Sequence, residues 1–350
     1  MKKQNEAKRH HYIPQFILRN FTDESGQIEY WDKQTKKLEK RNPRSIFMNI
    51  DMYRDEENHK DDPTYIEKSL AVFEREIAEL IAKTKMLTES KIVLTRLELQ
   101  TLRIFLTLLS FRSNTRMTQY KNTKFDKSTL NILKEYEPND NFENLWKKQI
   151  DALAKCRSYK DIKESEVIDP IIKSEFLNAI HGMYMTFLES RGGDFLISDI
   201  YPTFEIFPMA PNINVYLHAL YPLSNTRLLL LNHIMFKDEL NELQKVILNP
   251  LDLQIEIMKK VSNIQGNMLV APKHDYATNI IYHRNDKFIY NVQKIYSTDV
   301  EYLNALQLNE AKIGVAFKNK SRIIDSITAY NLRDDTKQKY TMLEEILDNQ

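Results

Sequence analysis

The sequence predicts an α+β fold in which a mainly helical middle packs with a small mixed or antiparallel sheet. Apolar residues recur at helical period through the middle of the chain, and after residue 191 they give way to short β-like runs separated by turns that contain proline. Hydrophobic residues make up 42% of the 350 positions, which is typical of a globular protein with a sizeable core. We predict one unit over 1–350. It can be subdivided into a strand and turn segment (1–62), a helical region (63–190) and a mixed α/β region (191–350).

The composition excludes several classes of protein. Lys plus Arg (50) nearly equals Asp plus Glu (49), so a uniformly basic nucleic-acid coat is excluded. Only 6 glycines occur, and no G-x-G-x-x-G or G-K-[ST] string is present, which argues against the two commonest nucleotide-binding loops. The single cysteine, Cys156, excludes an intramolecular disulfide and a multi-cysteine metal site. No signal peptide and no apolar span of ~20 residues is found, so we expect a cytoplasmic protein without a membrane span.

Short strands and turns are predicted for the N-terminal segment. The residues from Gln27 to Asp32 alternate apolar and polar side chains directly after the turn-forming pair Ser25-Gly26. Asn42-Pro43 and Pro63 then interrupt any regular element. This segment therefore contributes short strands and turns.

Two amphipathic helices follow, each opened by residues at the spacing of a capping box. Thr64 with Glu67, and Thr95 with Glu98, place a hydroxyl and a carboxylate where they can satisfy the first free amides of a helix. We expect the two helices to form an antiparallel pair. Their apolar residues at helical period are Leu70, Phe73, Ile77, Leu80 and Ile81 in the first, and Leu102, Phe105, Leu106 and Leu109 in the second.

The rest of the chain shows a change of period. The polar stretch from Met117 to Glu143 predicts a surface loop or a short helix that ends at a turn over 137–140. We predict helices over 142–156, 165–190 and 236–248, and one from a third capping box at Thr298 and Glu301 to about Ala311. We predict strands over 195–199, 213–218 and 227–232, and one or two strands within 267–283.

The most unusual string in the chain runs from His10 to Phe21 and reads HHYIPQFILRNF. On an extended chain His10 and His11 point to opposite faces, so we do not expect both to bind one metal. One of them could be a ligand or a general base, and the other a surface or orienting group. The alternative is a plug whose apolar side chains fill the core: Tyr12, Phe16, Ile17, Leu18 and Phe21.

From its second histidine onward, this string resembles the N-terminal signature of an uncharacterised bacterial family, the domain of unknown function numbered 4238. The signature reads H-Y-[IV]-P-[QR]-x-x-L-[RK]-x-F. The matching residues are His11, Tyr12, Ile13, Pro14, Gln15, Leu18, Arg19 and Phe21.

Further matches follow in the order that the family leads us to expect, so the resemblance spans almost the whole chain. The stretches that resemble family motifs are Glu67–Glu74 (E-x-x-L-x-x-x-E), Arg112–Arg116 (R-[ST]-P-x-x-R, one residue shorter here), Phe195–Asp199 (F-[IL]-[TS]-S-D), Pro222–Ser224 (P-L-S) and Leu303–Ala311 (L-N-x-x-Q-x-x-x-A). Asn114 stands where proline is usual, and Asp199 is followed by Ile200 rather than by Asn-Pro. Members of this family are candidates in anti-phage defence loci, so the resemblance implies a role in defence.

Two glutamates share one face of the first helix. Glu67 and Glu74 lie two turns apart on a face that also carries apolar residues, so a carboxylate there is partly buried and needs a partner. Arg112 or Arg116, at the end of the next helix, could supply it as a structural clamp. The alternative is a site in which both glutamates, Asp199 and a histidine bind a divalent metal.

Three other polar residues have similarly open interpretations. Asp199 follows a short strand, where a side chain often enters a cleft, but aspartate there also caps turns. Asn304 and Gln307 lie one turn apart on the last predicted helix. They could bind a nucleobase, or they could bind a backbone loop, as most side-chain amides do.

The first functional hypothesis is an enzyme, most concretely a nuclease that acts on nucleic acid. Hydrolysis of a phosphodiester needs a group that activates the nucleophile and groups that stabilise charge, and histidine, carboxylates and arginine provide both. A divalent metal is compatible with these residues, but no ligand set is assigned. The candidate catalytic residues are His10, His11, Glu67, Glu74 and Asp199, and the candidate substrate-binding residues are Gln15, Arg19, Arg112, Arg116, Asn304 and Gln307.

The second hypothesis is a non-catalytic sensor or interaction protein that binds a phage or host component. The same motifs would then be a folding signature. Convergence of the candidate histidines, carboxylates and arginines in one open cleft favours an enzyme, whereas burial as separate pairs favours the structural interpretation.

Overall fold

The computed structural model describes residues 9–210, 213–233, 267–271, 286–332 and 339–340. Within these ranges the fold is α+β, as predicted, with ten α-helices and fourteen strands. The predicted helix over 236–248 lies outside the described residues, as does the part of 267–283 that follows residue 271.

The N-terminal segment contains short strands, as predicted. Gly26 adopts a left-handed backbone conformation (φ +74°) in the turn before β2, which confirms the strand after Ser25-Gly26. Strand β1 pairs antiparallel with β4, and β2 pairs antiparallel with β3. The elements are β1 (Arg9–His11), α1 (Gln15–Leu18), β2 (Ile28–Asp32), β3 (Lys37–Arg41) and β4 (Met48–Ile50).

A bundle of helices occupies the middle of the chain. The polar stretch after residue 117 holds the end of α4 and all of α5, and it ends at a turn, as expected. The elements are α2 (Tyr65–Lys83), β5 (Lys91–Thr95), α3 (Arg96–Phe111), α4 (Asn114–Lys121), α5 (Lys127–Tyr136), α6 (Phe142–Lys155), α7 (Tyr159–Glu164) and α8 (Pro170–Glu175).

One of the first two predicted capping boxes forms, and the other does not. At α3 the Thr95 hydroxyl accepts from the Glu98 amide (3.3 Å), and the Glu98 carboxylate accepts from the Thr95 amide (2.7 Å). Helix α2 begins where predicted, but the Thr64 side chain does not cap it. That hydroxyl donates to Asp62 instead (2.8 Å). Glu67 is therefore free to take part in another site.

The helix predicted for 165–190 is wrong in its second half. Helix α8 passes into a π-helical turn over Phe176–His181, and strand β6 (Tyr184–Arg191) follows. Both faces of this strand are covered: Met185 and Phe187 join one apolar cluster, and Leu188 joins another. Because its apolar residues fall on both faces, β6 lacks the strict alternation by which a half-buried strand is told from a buried helix.

Three sheets bring distant parts of the chain together. Their strands from the C-terminal region are β7 (Ile197–Ser198), β8 (Thr203–Ala210), β9 (Ile213–Pro222), β10 (Arg227–Asn232), β11 (Asn267–Ala271), β12 (Lys287–Asn291), β13 (Gln293–Tyr296) and β14 (Gly314–Phe317). The largest sheet has the order β13-β6-β10-β9-β8, with β13 parallel to β6 and the other pairs antiparallel. The other two, β3-β2-β14-β7 and β11-β12-β5, pair strands from the N-terminal and helical regions with strands from the C-terminal region.

Two more helices, α9 (Ser297–Glu310) and α10 (Lys320–Asn331), pack against each other at the C-terminal end of the described chain. Helix α9 ends at Glu310, directly before Ala311 and so close to the predicted end, but it begins earlier than the third predicted capping box. The Asp299 carboxylate, rather than Glu301, accepts from the backbone at the helix start, from the Tyr296 amide (3.3 Å).

The N-terminal string is inserted into the core beside α2 and α3. Of the five predicted plug residues, Tyr12, Ile17, Leu18 and Phe21 are buried and Phe16 is half-buried, which confirms the plug interpretation for four of them. Aromatic rings connect the string to the two helices. Phe16 packs on Phe105 of α3, and Phe105 packs on Phe73 of α2, with ring centroids 6.0 and 5.7 Å apart. This packing places β1 and α1 over one end of the helix pair. None of the helices in the described ranges has the length and apolar character needed to cross a membrane.

Candidate functional site

An open pocket of about 270 Å³ lies where β1, α1, α2 and the end of α3 meet. We call it the Glu67 pocket. The lining residues that helix α2 contributes follow one another mostly at intervals of three or four positions, so they lie on one face of the helix. Six of the sequence-predicted candidates line the pocket together. Its lining residues are His11, Gln15, Phe16, Arg19, Glu67, Ala71, Glu74, Arg75, Ala78 and Arg112.

Arg112 connects the elements that form this pocket. Its side chain is buried, and its Nη1 donates to Glu74 Oε1 (2.5 Å). Its Nη2 donates to the backbone carbonyl of His11, and its Nε donates to the Tyr53 hydroxyl (3.2 Å). Of the two arginines considered as the partner of the α2 glutamates, Arg112 is the one that binds there. The guanidinium thus holds β1 against the two helices.

Glu67 is the carboxyl group of the pocket whose charge is least compensated. One of its oxygens, Oε2, is buried and accepts no hydrogen bond from the described residues. Burial raises the pKa of Glu67 to about 7, with the nearby Glu74 adding to the rise and Arg112 opposing it. The carboxyl is therefore close to half-protonated at neutral pH.

His11 is a neutral, fixed member of the pocket wall. Its Nε2 lies 3.2 Å from the Pro43 carbonyl, which can only accept, so Nε2 carries the hydrogen. Its Nδ1 then accepts from the Gln15 amide nitrogen (3.2 Å), and the Gln15 oxygen accepts from Arg19 (3.3 Å). Burial lowers the pKa of His11 to about 4. Both ring nitrogens are engaged, so this histidine positions Gln15 and, through it, Arg19.

His10 faces away from the pocket, as the alternation of β1 requires. Its Nδ1 accepts from the Tyr53 amide (2.8 Å), and its ring stacks on the Tyr53 ring with centroids 5.5 Å apart. His10 therefore anchors β1 to the segment before α2.

The charge around the pocket favours an anionic ligand. Arg19 and Arg75 are exposed at the rim, and within the described residues neither forms an ion pair. With Arg112, the pocket contains three guanidinium groups but only two carboxyl groups. One of these carboxyl groups, Glu67, is protonated in part of the molecules at neutral pH. Arg75 was not among the residues predicted from the sequence, although its spacing from Ala71 and Glu67 places it on the same face of α2.

Asp199 lies apart from this pocket and organises a loop. Its Oδ1 accepts from the backbone amides of Lys312 (2.9 Å), Ile313 (3.0 Å) and Gly314 (3.2 Å). The side chain is buried. Asp199 thus fixes the chain at the start of β14, which is the turn-capping alternative of the two considered.

Asn304 and Gln307 are also buried outside the pocket. The Asn304 oxygen accepts from the Leu196 amide (3.1 Å), and its nitrogen donates to the Asp194 carbonyl (2.8 Å) and the Ser326 hydroxyl (2.9 Å). The Gln307 amide makes no hydrogen bond with the described residues. Asn304 therefore binds backbone loops rather than facing the Glu67 pocket.

Arg116 belongs to a different pocket, beside α4. Its Nη2 forms an ion pair with Glu175, and its Nη1 donates to Gln119 (3.3 Å). The two arginines of the motif over Arg112–Arg116 therefore lie in two separate pockets.

The four-residue metal site considered above is not assembled. In the portion of the chain that the structure describes, no group of three or more His, Cys, Asp or Glu side chains is arranged to hold a metal ion. Glu67 and Glu74 share the pocket, but Asp199 binds three backbone amides elsewhere.

The structure thus defines an α+β protein with an arginine-lined pocket that holds a carboxyl group of raised pKa. The profile of the family described as "Protein of unknown function (DUF4238)" matches residues 9–321, and the chain belongs to this family. The matched region begins at β1 and includes every element that lines the pocket. No curated protein and no solved structure matches the chain significantly.

Proposed function

We propose that this chain is an enzyme that performs acid–base chemistry on a phosphate-bearing substrate, specifically a nuclease that acts in anti-phage defence. The observation that carries the proposal is the Glu67 carboxyl, with a pKa of about 7, in an open pocket whose rim carries Arg19 and Arg75, which form no ion pair with the described residues. A general acid or base is most effective when its pKa lies near the working pH. Desolvated carboxyl groups of this kind are a recurrent feature of catalytic sites.

Glu67 and the three arginines of the pocket have distinct roles in this proposal. Ionised Glu67 takes a proton from water as the water oxygen attacks phosphorus, the phosphorus–oxygen ester bond breaks, and the protonated carboxyl returns the proton to the leaving oxygen. Arg19 and Arg75 bind the phosphate oxygens and stabilise the charge that develops on them. Arg112 holds Glu74 and limits the rise in the pKa of Glu67.

The second candidate function is a non-catalytic sensor that binds an anionic phage or host component. The hydrogen bonds of Arg112 favour it, because they tie β1 to α2 and to Tyr53 inside the fold. The pocket would then be an architectural junction whose exposed rim, with Arg19 and Arg75, binds anions without chemistry.

A nuclease assay on the full chain tests the enzyme proposal and separates it from the sensor. Wild type, Glu67→Gln and Glu79→Gln are incubated with labelled single-stranded DNA, duplex DNA and RNA, each with and without Mg²⁺ or Mn²⁺. Glu79 is a matched control because it is exposed on the same helix and does not line the pocket. We expect wild type and Glu79→Gln to cleave at least one substrate, and Glu67→Gln to be slower by about 10²-fold or more, as for loss of a general base.

Two outcomes would contradict the enzyme. A Glu67→Gln variant that cleaves at the wild-type rate would remove the proposed role of the carboxyl. A wild type that cleaves nothing but binds nucleic acid more tightly than Arg75→Ala does would favour the sensor.

Phage plating tests the proposed role in defence. Cells that express wild type or Glu79→Gln should restrict plaque formation, and cells that express Glu67→Gln at equal folded yield should not. Equal plaque numbers with and without wild-type expression, across a panel of phages, would contradict a defence role.

A further inference from the structure

A second pocket, of about 370 Å³, opens beside α4 and shares no lining residue with the Glu67 pocket. We call it the aromatic pocket. It is bounded by the last turn of α3, the first turns of α4, strands β8 and β9, the segment over 200–202 and the end of α9 with the loop after it. Its volume lies within the range of about 300–1,000 Å³ that is typical of sites for small molecules.

Aromatic rings form one wall of this pocket. Phe204 on β8 and Tyr216 on β9 pack edge to face, with centroids 5.3 Å apart and planes at 72°. Tyr201, also in the lining, is buried, and its hydroxyl donates to the Pro222 carbonyl (3.2 Å). The wall is thus held in place by the sheet, and it offers ring faces on which a planar ligand can stack.

The charges around the aromatic pocket balance each other. Arg116 is paired with Glu175, whose other oxygen accepts from the Ser110 hydroxyl (2.7 Å). At the opposite end of the lining, Glu310 and Lys312 contribute one charge of each sign. Counting Glu175 with the lining, the described charges at this pocket therefore sum to zero, in contrast to those of the Glu67 pocket.

Neutral polar groups are also present at the rim. The Ser113 hydroxyl, at the start of α4, accepts from the Arg116 amide (3.3 Å), and Thr115, two residues further on, is exposed. Hydroxyl groups both donate and accept hydrogen bonds, so they suit the edge of a heterocyclic base.

We propose that the aromatic pocket binds a neutral heteroaromatic molecule of nucleoside size, with its base stacked on the wall formed by Phe204 and Tyr216. The hydroxyl groups of Ser113 and Thr115 contact the polar edge of the ligand. Stacking on aromatic side chains tolerates different bases, so the wall selects planar heterocycles as a class. The balanced charge favours a nucleoside or free base over a nucleotide. This site is independent of the chemistry proposed for Glu67.

Calorimetric titration of the full chain tests the proposal. The probes are adenosine, guanosine, cytidine and uridine, each compared with its 5′-monophosphate. The variants are Phe204→Leu, which removes a ring from the wall, and Thr115→Trp, which fills the pocket from its exposed rim. Lys121→Trp is the matched control, because it adds the same side chain to an exposed position of α4 outside the pocket.

At least one nucleoside should bind wild type and Lys121→Trp at up to millimolar concentration, with affinity weakened about tenfold or more in Phe204→Leu and Thr115→Trp, as for loss of a base–aromatic stack. Three results would overturn the proposal: no nucleoside binding to wild type, monophosphates that bind more tightly than the nucleosides, or affinities unchanged in the folded pocket variants. If Phe204→Leu does not fold, Thr115→Trp decides alone, because its position is exposed.

Discussion

Replacing Glu67 by glutamine removes a titratable group whose burial makes the stability of the chain depend on pH. The pKa of Glu67 is about 7 in the folded chain, against an ordinary value of 4.5. Because the folded state holds this proton more tightly, it binds more protons than the unfolded state between these two values. The stability of wild type therefore falls as pH rises through this window. The stability of Glu67→Gln lacks this contribution, because glutamine does not titrate.

The size of the effect follows from the same two values. Each pH unit of difference between the folded and unfolded pKa corresponds to about 1.36 kcal/mol, so ionising buried Glu67 costs about 3 kcal/mol in full. Close to 1 kcal/mol of this is already lost at pH 5, where most unfolded chains are ionised at Glu67, and about 2.5 kcal/mol is lost between pH 5 and pH 8. Between pH 5 and pH 8, the free energy of unfolding of Glu67→Gln should therefore rise by about 2.5 kcal/mol relative to that of wild type.

Urea unfolding at pH 5 and pH 8 measures this difference. Wild type, Glu67→Gln and the exposed control Glu79→Gln are unfolded under both conditions, and each variant is compared with wild type at the same pH. Glu79→Gln should differ from wild type by the same amount at both pH values. If the difference between Glu67→Gln and wild type is also the same at pH 5 and pH 8, the carboxyl is not desolvated as described, and the argument for an acid–base group fails.

Three further predictions concern buried side chains. Arg112→Lys cannot keep all three contacts of the guanidinium and should lose about 3–5 kcal/mol of unfolding free energy in urea, whereas Arg75→Lys at the exposed rim should match wild type. Asp199→Ala removes the acceptor of three backbone amides and should lose about 3 kcal/mol of unfolding free energy in the same assay. Asp199→Asn should lose less, because its side-chain oxygen still accepts; equal losses in the two variants would contradict this role of Asp199. Burial raises the pKa of Cys156 to about 12, so a disulfide reagent at pH 8 should label it only as fast as the chain opens, and labelling at the rate of a free thiol would refute its burial.

Elements whose determinants are local in sequence were predicted well. The capping box of α3 formed because one Glu98 oxygen accepts from the Thr95 amide while Lys83 binds the other oxygen, so the two interactions do not compete. The box at Thr64 failed because Asp62, two residues away, takes the threonine hydroxyl. Strand β6 was predicted as helix because both of its faces are covered, and that depends on elements far away in the chain.

The candidate site shows the same division. Motif residues such as Gln15, Glu67 and Arg112 were selected from the sequence, and the fold brings them to one pocket. Asp199 was selected by the same reasoning, but the fold places its carboxylate on backbone amides. Residue type and spacing show which side chains are suited to chemistry. They do not show which of them will be occupied by the protein's own backbone.

The sequence by itself determined the fold class, the positions of α2 and α3, and the kinds of residue available for a site, because periodicity and capping depend on neighbours along the chain. Only the tertiary structure decided that Glu67 would be desolvated and His11 held neutral. The pKa of a group depends on all the groups packed around it, including those far away in the sequence. In this pocket, Arg112 donates a hydrogen bond to the backbone carbonyl of His11, which lies 101 positions earlier in the chain.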